Sequence, residues 1–93
     1  MPVSIQIPTA LRGYTDGQAV VPVDGVTAGE ALAALTTRHP TLAHHLRTPD
    51  GKLRSFVNVY LNDEDIRHLQ RDATPVKDGD ALIIVPSIAG GGR

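Results

Sequence analysis

The chain has 93 residues, 41% of them hydrophobic, and a formal net charge of −1 from nine basic and ten acidic residues dispersed along it. That composition specifies one small domain with a single core, and the mixed charge leaves no electrostatic footprint for nucleic acid or an anionic membrane. The absence of cysteine excludes disulfides, side-chain thiolates and cysteine nucleophiles. No long apolar segment is present and residues 1–4 lack the pattern of a signal peptide, so a cytoplasmic location is expected.

Val3, Ile5 and Ile7 alternate with Ser4 and Gln6, the two-residue period of a half-buried strand, and Pro8 ends it. A turn region from Gly13 to Gly17 leads to a second strand over residues 18–23, and the short separation makes an antiparallel hairpin the simplest connection. Pro22 assigns that strand to a sheet edge, because proline donates nothing to a ladder. Thr27 and Glu30 have the spacing of a capping box, and behind them Ala31, Leu32, Ala34 and Leu35 recur at helical spacing. The helix is expected to stop near His39 and Pro40. A short turn over residues 42–46 and a loop at Pro49, Asp50 and Gly51 follow, then a β-rich run over 55–61 and a turn over 62–65. Residues 66–69 read as a short edge strand or extended segment, and 77–80 as a tight turn before a last strand over 81–86.

In the last strand, Leu82 and Ile84 are expected to face the helix while Ile83 and Val85 point outward. Phe56 and Tyr60 share that outer face if the phase holds, and the four side chains form an apolar partner-docking patch. A one-residue slip would instead bury Phe56 and Ile83. His39, His44, His45 and His68 lack the i, i+4 spacing of a helical metal pair and read as ordinary surface histidines, so no metal site is expected. Asp63, Glu64 and Asp65 read as a solvated turn rather than a cation site, and Ser4, Ser55 and Ser87 have no nucleophile-elbow context. Lys52 and Arg54 read as solvated loop residues or as steering charges for an acidic partner.

Past Pro86 the chain reads Ser87-Ile88-Ala89-Gly90-Gly91-Gly92-Arg93. Glycines cannot pack and lose the most backbone entropy on ordering, so residues 1–86 are expected to form the domain and 87–93 a flexible tail. Such a tail suits a narrow channel in another protein and, extended, reaches roughly 20 Å.

With the first and last strands central and parallel, these elements make an α+β fold of the β-grasp type: a mixed sheet of four to five strands with one main helix packed on one face. The pattern resembles ubiquitin and, more narrowly, the bacterial sulfur carriers of the MoaD/ThiS family, and within that group the CysO-type carriers of cysteine biosynthesis. Residues 7–12 (Ile-Pro-Thr-Ala-Leu-Arg), 51–54 (Gly-Lys-Leu-Arg), 56–67 (Phe-Val-Asn-Val-Tyr-Leu-Asn-Asp-Glu-Asp-Ile-Arg) and 86–91 (Pro-Ser-Ile-Ala-Gly-Gly) carry the resemblance.

The resemblance implies that an E1-like adenylating and sulfurtransferase enzyme uses ATP to activate the terminal glycine carboxylate. Sulfide equivalents then displace AMP and leave a thiocarboxylate. In the CysO-type pathway a pyridoxal-phosphate-dependent cysteine synthase accepts the sulfur, and a tail-processing or product-releasing metalloprotease acts afterwards. ATP, pyridoxal phosphate and the protease metal belong to those partners; the carrier binds no cofactor and supplies no catalytic side chain. Family members of this type end at the glycine aligned with Gly91, so Gly91, or alternatively Gly92, is expected to become the terminus after trimming of this chain. Carriers for molybdopterin or thiamine synthesis, ubiquitin-like modifiers of lysines and non-covalent β-grasp binding modules are the alternatives.

Overall fold

The structure, a computed structural model, describes residues 2–55 and 57–86. Strand β1 (Val3–Gln6) buries Val3 and Ile5 on one face, as the alternation requires, and pairs antiparallel with β2 (Val20–Val23) from Val3 opposite Val23 to Gln6 opposite Val20. After the helical layer come β3 (Val57–Leu61), β4 (Glu64–Asp65) and β5 (Ala81–Pro86). The sheet order is β2-β1-β5-β3-β4, with β5 parallel to β1 and antiparallel to β3. This is the expected β-grasp arrangement, with five strands.

Helix α1 (Ala28–Arg38) begins where the capping spacing predicts it. The Glu30 N–H donates to Thr27 Oγ1 at 3.1 Å, while Glu30 Oε1 accepts from the N–H of Val26 at 3.1 Å, one residue earlier than in an ordinary capping box. Ala28, Ala31, Leu32 and Leu35 are buried, and their stripe closes over the inner sheet residues Ile5, Val21, Val59, Leu82 and Ile84 to make one core.

Three local expectations need correction. The Gly13 to Gly17 turn is preceded by a full 3-10 helix, Thr9–Tyr14, which the sequence does not announce because it has no long apolar period; it is anchored by buried Leu11. The turn expected over 42–46 is a true helix, α2 (Pro40–Leu46), started by Pro40, whose missing N–H costs nothing at that position. The edge strand expected over 66–69 lies earlier, at Glu64–Asp65. Asn62, at φ +57°, and Asp63 reverse the chain so tightly that Glu64 already pairs with Leu61. Ile66–His68 then form a 3-10 turn that drops Ile66 into the core, with Asp65 accepting from the Arg67 N–H at 2.8 Å.

Gly25 lies against the start of α1. A Cβ there would stand 2.8 Å from the Ala31 nitrogen, whereas one at Gly13 would meet nothing within 4 Å. Gly25→Ala is therefore expected to destabilise the fold by about 1–3 kcal/mol through enforced backbone displacement. Gly13→Ala should be neutral or stabilising by up to about 1 kcal/mol. Urea denaturation of the two variants checks the contrast.

Candidate functional site

The register assembles the sheet face opposite the helices residue by residue. Ile83 of β5 stands opposite Gln6 of β1 on one side and Tyr60 of β3 on the other; Gln6 in turn faces Val20, and Tyr60 faces Asp65. One row therefore crosses all five strands, and Val85 opposite Asn58 adds to it. The expected phase is the observed one: Leu82 and Ile84 are buried, Ile83 and Tyr60 half-buried, and Val85 is 40% exposed. Phe56 lies outside the described residues, as do Ala89, Gly90, Gly91 and Gly92.

Val20, 50% exposed, belongs to this face and was missed. Its signal was available: Pro22 had been placed on an edge strand, and Val20 has the same parity, but no phase was assigned to β2. Val20, Ile83, Tyr60 and Val85 thus give this face an apolar strip, interrupted by Gln6 and Asn58 and bounded by Asp65 at the β4 edge. Its chemistry is that of association rather than bond-making.

The strip leads to Pro86, the last described residue of β5, which stands opposite Val57. Arg67 fixes that corner. Its Nη2 donates to the carbonyls of Val57 at 2.7 Å and Arg54 at 3.1 Å, and its Nη1 bonds Asn58 Oδ1. At the opposite edge, Arg38 Nη1 donates to the Pro22 carbonyl at 3.0 Å. Each outer rim of the main sheet thus has a backbone acceptor occupied by a guanidinium.

The histidines were expected at the surface, and one is not. His39 is 8% exposed because it both ends α1 and begins α2, so its side chain turns inward, and its Nε2 has no hydrogen-bond partner among the described residues. His45 stacks on Tyr14 with ring centroids 4.2 Å apart. Among the described residues no group of three or more His, Cys, Asp or Glu is placed to hold a metal ion. Arg54 is half-buried and donates through Nε to the His44 carbonyl at 2.9 Å; Lys52 is exposed. In the adjoining turn the Thr48 hydroxyl donates to the Asp50 carboxylate and lowers its pKa from the ordinary value. No helix among the described residues is long and apolar enough to cross a membrane.

Comparison with known proteins places these features. The ThiS family model matches residues 5–91. The sulfur carrier protein CysO of Mycobacterium tuberculosis is 42% identical over 93 residues, covering 98% of this chain and all of the relative. A chain of the Amycolatopsis orientalis BexX/CysO complex superposes with a TM-score of 0.87 at 42% identity, over 96% of this chain and 99% of that one. Small archaeal modifier protein 3 of Haloferax volcanii is 38% identical over 68 residues, 73% of each chain.

Because Arg67 satisfies two carbonyls and a side-chain oxygen at once, Arg67→Met is expected to cost about 1.5–3 kcal/mol. The loss should be read from urea denaturation together with faster amide exchange around Val57; unchanged stability and exchange would contradict the assignment.

Proposed function

We propose, because this chain belongs to the ThiS family, that it carries sulfur as a C-terminal thiocarboxylate. The observation that carries the reading is the reach of the family match, which runs through Gly91 and so takes in Gly90 and Gly91 along with the domain. The identity to a CysO sulfur carrier over nearly the whole chain favours cysteine biosynthesis as the destination of the sulfur.

In this reading the carboxylate of Gly91, or alternatively Gly92, is the reacting group, exposed once the residues beyond it are removed. An E1-like enzyme transfers AMP from ATP to that carboxylate with release of pyrophosphate. A sulfur donor then displaces AMP, and the thiocarboxylate sulfur attacks an activated serine held by a pyridoxal-phosphate-dependent synthase. A metalloprotease trims the tail or releases the product. Both cofactors stay with the partner enzymes. The domain supplies recognition: Tyr60, Ile83 and Val85, together with Val20, form the surface that partners grip, Phe56 being assigned to it from the sequence phase, while Ala89, Gly90 and Gly91 enter the active site. An enzyme partner is in keeping with the BexX/CysO complex among the similar structures.

A second reading, attachment to lysines of other proteins, has support in the similarity to small archaeal modifier protein 3. It uses the same activated carboxylate with a different nucleophile. Carriage of sulfur for molybdopterin or thiamine synthesis differs only in the final acceptor.

Intact-mass measurement separates these readings. Chains ending at Gly91 and at Gly92 are incubated with the E1-like enzyme of the same organism, ATP and a sulfur donor. Exchange of one oxygen for sulfur is expected on one of them. If neither is converted by an enzyme that adenylates another carrier, the proposal fails, and adducts on lysines would transfer it to the modifier class. Ile83→Asp, which puts a charge in the centre of the apolar strip, is expected to raise the KM for the carrier by about tenfold or more with little change in kcat.

A further inference from the structure

Beyond Gln6 the chain turns away at Pro8, so β1 stops pairing with β5 at Ile83 while β5 continues to Pro86. The step leaves a slot of about 280 Å³ whose walls include Gln6, Pro8, Arg12, Val20, Ile83 and Ile84. Among the described residues Arg12 is the only charged one lining it.

That guanidinium is held in place without being satisfied. The Arg12 carbonyl accepts from the N–H groups of Thr15 at 3.1 Å and Gly17 at 2.8 Å, and the Thr15 hydroxyl lies 3.2 Å away, so its backbone is fixed. Its Nε donates to the Ile7 carbonyl at 3.0 Å. Among the described residues neither Nη1 nor Nη2 has a hydrogen-bond partner or a carboxylate paired with it. Arg38, Arg47 and Arg67, by contrast, each bond protein acceptors through a terminal nitrogen, while Arg54 resembles Arg12 in bonding through Nε to a carbonyl.

We propose that this slot receives an aspartate or glutamate side chain of the enzyme that adenylates the tail, with Arg12 as a positioning residue. The proposal rests on the sulfur-carrier reading above. Two observations select the occupant. The free fork of a guanidinium in an otherwise uncharged slot is complementary to a carboxylate, which it binds in a bidentate geometry. The slot is also continuous with the apolar strip, because Val20 and Ile83 belong to both. An apolar strip attracts without direction and permits rotation of the carrier on its partner. A fixed fork at one end of it sets that rotation, and with it the heading of the chain beyond Pro86.

The test measures ATP–pyrophosphate exchange by the E1-like enzyme of the same organism with the chain ending at Gly91 or Gly92, whichever takes up sulfur in the assay above, and with Arg12→Lys, Arg12→Gln and Arg12→Glu in that same trimmed chain. Arg12→Gln is expected to raise the KM for the carrier by about tenfold and Arg12→Glu by more, with kcat nearly unchanged. Lysine keeps the charge but loses the Nε bond to Ile7, so Arg12→Lys should lower the melting temperature yet keep a KM closer to wild type than glutamine does. The wild-type advantage should shrink as salt is raised. A wild-type KM for Arg12→Glu, alongside the raised KM of Ile83→Asp, would overturn the proposal while leaving the docking strip intact. Equal losses for all three variants, tracking their melting temperatures, would reduce Arg12 to a structural part and also overturn it. If neither trimmed chain supports exchange with an active enzyme, the sulfur-carrier reading itself falls and takes the slot's assignment with it.

Discussion

The fold depends on β5 being paired on both sides. Ser4, Ile5 and Gln6 flank it in parallel and residues Val57–Leu61 in antiparallel, so the last strand in sequence occupies the middle of the sheet. Two ladders fix its register, and register fixes which side chains reach which face. Leu82 and Ile84 go to the core under α1, and Ile83 and Val85 go to the open face. A slip of one residue would exchange core for docking surface along the whole strand. The same central position makes β5 the base from which the tail departs, so the surface that attracts a partner and the group the partner acts on share one piece of backbone.

Most of this architecture was legible because each strand has two unlike sides. Val3 and Ile5 against Ser4 and Gln6, or Leu82 and Ile84 against Ile83 and Val85, leave a pattern that survives without knowledge of neighbours. Thr27 with Glu30 marks a helix start for a similarly local reason, the need to satisfy the first amides. What escaped notice was decided by contacts remote in sequence. The Thr9–Tyr14 helix is too short to have a period, and its place follows from burial of Leu11. The inward turn of His39 depends on two helices meeting there. Val20 needed the phase of an edge strand, which becomes visible only when Gln6 and Ile83 stand beside it. Arg12 was quoted as part of a motif, but its free nitrogens are a property of three dimensions.

The charged residues divide the work differently from what composition suggests. A net charge near zero implies little long-range steering, and the arginines act at contact distance instead. Arg67 and Arg38 reach from the helical side to a carbonyl on each rim of the sheet, and Pro22 removes a donor from the same rim that Arg38 covers. Strand edges with free donors and acceptors invite pairing with other chains, and these devices oppose it. A protein that exposes an apolar strip has particular need of such protection, since its own copies are always the nearest candidates for unwanted pairing.

The central strand also has a mechanical meaning. An enzyme that drew the residues beyond Pro86 into a channel would load β5 from its end. Because that strand is bonded to β3 along its length and to β1 over residues 81–83, a pull along the strand would fall in shear on many hydrogen bonds at once rather than peeling them one at a time. The domain can therefore be held by its end without unravelling from it. A small domain with a modest core thereby gains a firm mooring for the part of the chain that other proteins handle.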